Sequence, residues 1–217
     1  MKGLLIKDLR LMAAQKKFFL SLVLVTVLLV IMAQDASFII CYMSFIGAQF
    51  SLSTISYDEF DNGNAFLFSL PITRKGYVVE KYGFGLLMGG GCWLFSMLAA
   101  MVGGEIRKLV PANDTLMVAI LILPIMLLVV AVMLPFQLKF GGEKGRIAIF
   151  VIVGVVAAAI FLGLKMEEAL GINFNGFLSG LQELGFGALV TVLAVAAIVV
   201  LLISGRVSMV ILEKKEF

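Results

Sequence analysis

Leu116-Met117-Val118-Ala119-Ile120-Leu121-Ile122-Leu123-Pro124-Ile125-Met126-Leu127-Leu128-Val129-Val130-Ala131-Val132-Met133-Leu134-Pro135-Phe136 contains no charged and no hydrogen-bonding side chain. A helix of about 20 such residues, rising about 1.5 Å per residue, matches the hydrocarbon thickness of a bilayer, about 30 Å. No soluble domain leaves so long an apolar run without a polar face, so lipid is the solvent for this segment. Working outward, five further stretches qualify or nearly do: Phe18 to Met32, Ala36 to Ser56, Tyr82 to Val102, Ile147 to Leu164 and Phe186 to Ser204. The first of these is the shortest. The predicted fold is therefore all-α and polytopic, one transmembrane domain over residues 1–217 with six membrane-spanning helices.

Composition agrees with that frame. Of 217 residues, 62% are hydrophobic and 14% charged, and the charges gather between the apolar runs. A net charge of +3 is too small to argue for nucleic acid as a partner. Histidine is absent, which removes the commonest general base and transition-metal ligand. Cys41 and Cys92 lie inside apolar stretches with no companion ligand at useful spacing, so neither a disulfide framework nor a metal site is expected.

Basic residues set the orientation, because Lys and Arg near the ends of spans stay on the cytoplasmic side. Fourteen of the seventeen fall on one side of the six-span frame, in groups at Lys2 to Lys17, Arg74 to Lys81, Lys139 to Arg146 and Arg206 to Lys215. Arg107, Lys108 and Lys165 fall on the other. Both termini are expected in the cytoplasm. Residues 1–17 read as an amphipathic helix lying along the inner membrane surface, with Leu4, Leu5, Leu9 and Met12 on one face and Lys7, Arg10 and Lys17 around it. A cleaved signal peptide fits less well, since no small-x-small cleavage site follows Ile31. The terminal Lys214-Lys215-Glu216-Phe217 reads as a cytoplasmic flank rather than a two-lysine retrieval signal.

The longest cytoplasmic connection, 57–81, is the most informative. Tyr57-Asp58-Glu59-Phe60-Asp61 is acidic and aromatic, Asn62-Gly63-Asn64 reads as a break, and Phe66, Phe68, Leu70 and Ile72 supply apolar groups expected to be exposed. Pro71 ends any helix before it, and a new one can begin near Thr73 and run into the third span through Tyr77, Val78, Lys81 and Tyr82. Apolar loop residues cost solubility unless they dock on the chain's own spans or on a cytoplasmic partner. Elsewhere, Gly85 and Gly89 form a GxxxG pair that permits close helix packing, within the chain or between subunits. Pro124 and Pro135 are expected to kink or end the fourth span. Residues 165–185 mix Glu167 and Glu168 with Ile172, Phe174, Phe177 and Leu181, as suits an extracellular loop or short re-entrant segment. Glu167-Glu168 also begins one kind of intramembrane protease site, but the arginine and histidines such an enzyme needs are missing.

At the 57–81 loop the chain resembles the small ABC-2-type transporter permeases, membrane subunits of ATP-driven exporters such as those of phenol-soluble-modulin and bacteriocin-immunity systems. The resemblance rests on Lys2-Gly3-Leu4-Leu5-Ile6-Lys7-Asp8-Leu9, on Tyr57-Asp58-Glu59, and on Ser69-Leu70-Pro71-Ile72-Thr73-Arg74-Lys75 followed by Tyr77-Val78 and Lys81-Tyr82. It implies that residues 1–17 are an interfacial elbow helix and that a coupling helix between spans two and three sits in a groove of a cytoplasmic ABC ATPase. It also implies that Tyr57, Asp58, Glu59, Phe66, Leu70, Pro71, Arg74 and Lys75 belong to that coupling region. Asn62-Gly63-Asn64 departs from the larger, helix-compatible residues usual there.

The resemblance further implies a second permease copy or paralogue as partner, the bacterial plasma membrane as location, and an amphipathic peptide or lipid-like substrate. The chain itself carries no nucleotide-binding motif: Gly141-Gly142-Glu143-Lys144-Gly145 lacks the order of a phosphate-binding loop, so ATP and Mg are expected on the separate ATPase and no cofactor on this chain. No ionisable residue lies in the middle of a span, which disfavours ion or proton coupling. A noncatalytic scaffold or immunity subunit is the alternative reading.

The orientation is testable by labelling. A cysteine at position 75 (Lys75→Cys) should resist a membrane-impermeant maleimide in intact cells and react after permeabilisation, while Lys165→Cys reacts in both. Reaction of position 75 in intact cells reverses the topology.

Overall fold

A computed structural model describes residues 2–32, 35–60, 63–108, 110–170 and 185–215; within 143–170 the description is of the helical backbone. The elements are α1 (Lys2–Ala14), α2 (Lys16–Met32), α3 (Ala36–Glu59), α4 (Gly63–Ser69), α5 (Arg74–Arg107), α6 (Ala112–Leu170) and α7 (Phe186–Lys214). No strand occurs among the described residues.

Four helical stretches are long and apolar enough to cross a membrane: Ala36–Glu59, Arg74–Arg107, Ala112–Gly142 and Phe186–Lys214. The bent pair of α1 and α2, meeting at 67°, makes a fifth if counted as one span. The predicted stretch from Ile147 to Leu164 is helical in backbone, and its side chains lie outside the described residues. So does most of the 165–185 segment, of which 171–184 are not described. The 34 residues of α5 reach about 51 Å at about 1.5 Å each, well beyond a hydrocarbon core of about 30 Å even with tilt. One end of α5 therefore projects from the membrane.

Helix α3 is the hub, packed against α5 and α6, with α7 laid against α6 and touching α5. In lipid, association depends on close packing rather than on the hydrophobic effect, and α3 supplies the small residues this needs: Ser44, Gly47, Ala48, Ser51 and Thr54 are all buried. A Cβ at Gly47 would stand 2.7 Å from both the Met88 carbonyl oxygen and Cys92 Cβ on α5. Only glycine admits that approach. Gly85 faces Ser51 and Val130, and Gly89 faces Met126, so both members of the predicted GxxxG pair pack within this chain. The largest apolar cluster joins Leu52 and Ile55 of α3, Val78 and Tyr82 of α5, Val130, Leu134 and Leu138 of α6, and Leu4 of α1.

Neither proline ends α6; the helix continues through Pro124 and Pro135. Pro135 has no amide to offer the carbonyl four residues earlier, and Ser204 Oγ of α7 donates to that Ala131 oxygen instead. The break falls at Gly141 (φ 80°), in the left-handed region that favours glycine. There Glu59 Oε2 accepts the Gly142 amide at 2.7 Å, placing a carboxylate at the start of the helix that follows. Pro71 behaves as expected: α4 stops at Ser69, and Thr73 caps α5 by accepting the Gly76 amide at 3.1 Å.

Gly47→Leu should destabilise the bundle by about 1–3 kcal/mol, the usual cost of overpacking, read as a lowered thermal midpoint in detergent. Gly90→Leu, at a position with nothing within 4 Å, should not lower it. Equal effects from the two would refute the close α3–α5 packing.

Candidate functional site

At the end of the bundle where α1, the C-terminus of α3 and the N-terminus of α5 meet, charges are buried together. Lys81 has no exposed surface. Its Nζ lies 2.5 Å from Asp8 Oδ2 of α1 and 2.9 Å from Asp58 Oδ2 of α3. It also donates to Thr54 Oγ1 at 3.0 Å. Lys7 closes the ring, bonding Asp58 Oδ1 and standing 3.1 Å from Asp8 Oδ1. The Tyr77 hydroxyl donates to Asp58 Oδ2 at 2.9 Å, and Lys81 Nζ sits 5.1 Å from the centre of that ring. Glu80 is buried beside it, its Oε2 3.8 Å from Lys81 Nζ, with neither carboxylate oxygen hydrogen-bonded among the described residues.

An ammonium moved out of water is costly unless opposite charge and hydrogen bonds surround it. Two carboxylates and a hydroxyl do so here, each from a helix other than α5. The ring therefore exists only when α1, α3 and α5 are in register.

A second set of contacts extends this polar layer to α6 and α7. Arg74 donates to the carbonyls of Leu212 at 3.0 Å and Glu213 at 2.6 Å in the last turn of α7, the former also accepting the Lys215 amide at 3.4 Å. Lys215 pairs with Glu59 Oε1 at 2.9 Å and donates to the Leu138 carbonyl at 3.0 Å. Gln137 Nε2 donates to Ser56 Oγ at 3.0 Å. One turn further into the bundle the Tyr82 hydroxyl meets Ser204 Oγ at 2.5 Å and Ser208 Oγ at 2.8 Å. Among the described residues no group of His, Cys, Asp or Glu is placed to hold a metal ion.

A family model described as ABC-2 family transporter protein matches residues 3–213. The chain belongs to that family. No curated protein and no solved structure matches it. Membership makes the chain a multi-pass membrane protein and a permease subunit of an ABC transporter, a class that works with a partner ATPase and is typically dimeric.

In this permease the residues of the 57–81 segment divide by direction. Asp58 and Glu59 turn inward to the contacts above, and Arg74 holds the end of α7. Tyr57 is 53% exposed, its hydroxyl accepting from Gln15 Nε2 at 2.9 Å. Phe66 is 71% exposed and Leu70 43%, with Pro71 and Lys75 also exposed, the last 3.5 Å from Glu213 Oε1. Phe68 and Ile72 differ from expectation. Both pack against the core, Phe68 edge-on to Tyr77 at 5.6 Å between ring centres, because Leu67 and its neighbours turn that side of α4 inward. Of the expected break Asn62-Gly63-Asn64, Asn62 lies outside the described residues, and Gly63 and Asn64 form the first turn of α4, which follows the end of α3 at Glu59.

The centre of the site, Lys81 with Asp8, Thr54, Tyr77 and Glu80, is missing from the sequence-derived coupling set. A signal for it existed. Asp8 stands four residues after Leu4, on the apolar face of α1, where a carboxylate must find a buried cation.

Replacing Lys81 by Met should cost about 3–5 kcal/mol, as for breaking a buried ion pair from one side, seen as a lower thermal midpoint of the purified permease. Adding Asp8→Asn to that variant should recover part of the loss. Additive losses in the double variant would show that the two residues do not interact.

Proposed function

We propose that this permease is half of an exporter in the bacterial plasma membrane, with both termini cytoplasmic, and that a separate ATPase binds the surface formed by Tyr57, Phe66, Leu70 and Pro71. The observation that carries the reading is the division of the 57–81 segment. Apolar side chains project outward from a short helix whose other side is anchored, through Leu67, Phe68 and Ile72, onto the bundle. Outward apolar groups on an anchored element suit docking to a partner. Behind them, the Lys81 ring connects the docking element to α1 and α5.

Two copies, or this chain and a paralogue, would enclose the pathway. Closure of two ATPase subunits on ATP would push α4, and α5 would carry the displacement into the bundle as a rigid-body tilt that switches access. In the described spans the charged residues sit toward the ends, leaving an apolar middle. That suits an amphipathic peptide or lipid-like substrate better than an ion.

Burying Phe66 and Leu70 against a partner contributes about 1.5–3 kcal/mol each. Replacing both by Asp should therefore weaken association with the co-expressed ATPase by at least about 100-fold, measured by pull-down and titration, while membrane insertion is unchanged. Undiminished association in detergent would move the ATPase contact elsewhere. Intact association with no ATP-dependent transport by the unaltered pair would favour the scaffold reading.

A further inference from the structure

An apolar groove runs between α5 and α7 beside the contacts above. Its volume is ≈ 720 Å³, within the range of about 300–1,000 Å³ typical of small-molecule sites. Two glycines make it concave: Gly83 and Gly205 line it, and a Cβ added at either would meet no heavy atom within 4 Å. On α5 the groove runs from Val78 to Leu86 and on α7 from Met209 to Val199. At about 1.5 Å per residue these lengths are about 12–15 Å, half of a hydrocarbon core of about 30 Å. The groove is one leaflet deep.

It opens sideways, towards lipid, with Leu202 63% exposed on its wall. Its membrane-surface end is the one at Val78 and Met209, toward the Arg74 contacts with the end of α7. Just inside that end stands Arg206, the one charged residue of the lining, which makes no ion pair among the described residues. It lies on α7 between Ser204 and Ser208, the two residues that hold the Tyr82 hydroxyl at the border between the polar layer and the apolar span.

We propose that this groove binds one acyl chain of an anionic bilayer phospholipid, with the lipid phosphate on the Arg206 guanidinium. An acyl chain matches the apolar lining, the lateral opening and the one-leaflet depth, and a phosphate matches the geometry of a guanidinium at the mouth. A second copy of the permease is a poorer occupant. A helix packed along the groove would cover Arg206 and leave its charge uncompensated. Which leaflet supplies the lipid rests on the orientation proposed above; the binding does not.

Native mass spectrometry of the full permease, exchanged into micelles with phosphatidylglycerol and phosphatidylcholine of identical chains, tests this without reference to transport. The unaltered chain should retain one phosphatidylglycerol at least about five-fold over phosphatidylcholine. Arg206→Gln should bring the two close to parity, Arg206→Lys should keep most of the preference, and Gly205→Leu should reduce retention of both. Equal retention of both lipids by the unaltered chain, or an undiminished preference in Arg206→Gln, overturns the proposal. So does loss of a dimeric species in Gly205→Leu with lipid retention unchanged, which assigns the groove to a second copy.

Discussion

Lys81 has no contact with water, and everything around it follows from that. An ammonium so placed has to be neutralised by groups the rest of the chain brings to it, and these are Asp8 of α1, 73 residues away in sequence, and Asp58 of α3. The position of the N-terminal helix is fixed by that requirement more than by its own packing. Leu4, Leu9 and Met12 give α1 an apolar face, but such a face can slide along a greasy surface. A carboxylate aimed at one buried cation cannot.

The two ends of the bundle differ as a result. At the Lys81 end, ionic contacts and hydrogen bonds link α1, α3, α5, α6 and α7 in a continuous layer, extended through Glu59 to the helix break at Gly141. Towards the other end the described spans are held mainly by apolar packing, with isolated polar contacts such as Trp93 Nε1 to the Ala119 carbonyl at 2.9 Å and Arg107 to the Val30 carbonyl at 2.9 Å. A layer cross-linked in this way moves as a unit, while spans held by van der Waals contact can change tilt beyond it. Under the proposed function, that asymmetry is what lets a push on α4 reach the membrane. The short helix bears on Tyr77 through Phe68, and Tyr77 is bonded to Asp58 within the ring.

Much of this architecture is legible in the sequence because lipid imposes simple rules. Charge-free runs such as Leu116 to Phe136 must span, and the start of α5 at Arg74 follows from Pro71 and the Thr73 cap. What could not be read are long-range pairings. Asp58 and Glu59 look like a surface acidic patch until Lys81 and Lys215 are brought beside them. Phe68 and Ile72 look as exposed as Phe66 and Leu70, since a seven-residue helix is too short for periodicity to show which side turns inward. That Pro124 and Pro135 do not end the span has a related reason. Pro135 costs α6 an internal hydrogen bond, and the compensation, Ser204, lies on α7. Gly141, which does break the helix, is marked by the Gly141-Gly142 pair within the charged connection from Lys139 to Arg146.

The claim on which this account turns is that α1 and the start of α5 are clamped into one body by the buried ring. Pulsed electron–electron resonance between spin labels at Arg10→Cys and Lys75→Cys, in a background with Cys41 and Cys92 replaced, measures it directly in the permease assembled with its ATPase. A clamped pair gives one narrow distance distribution, the same with and without trapped ATP. A distribution that broadens or shifts on nucleotide binding, with the ring residues intact, would contradict it.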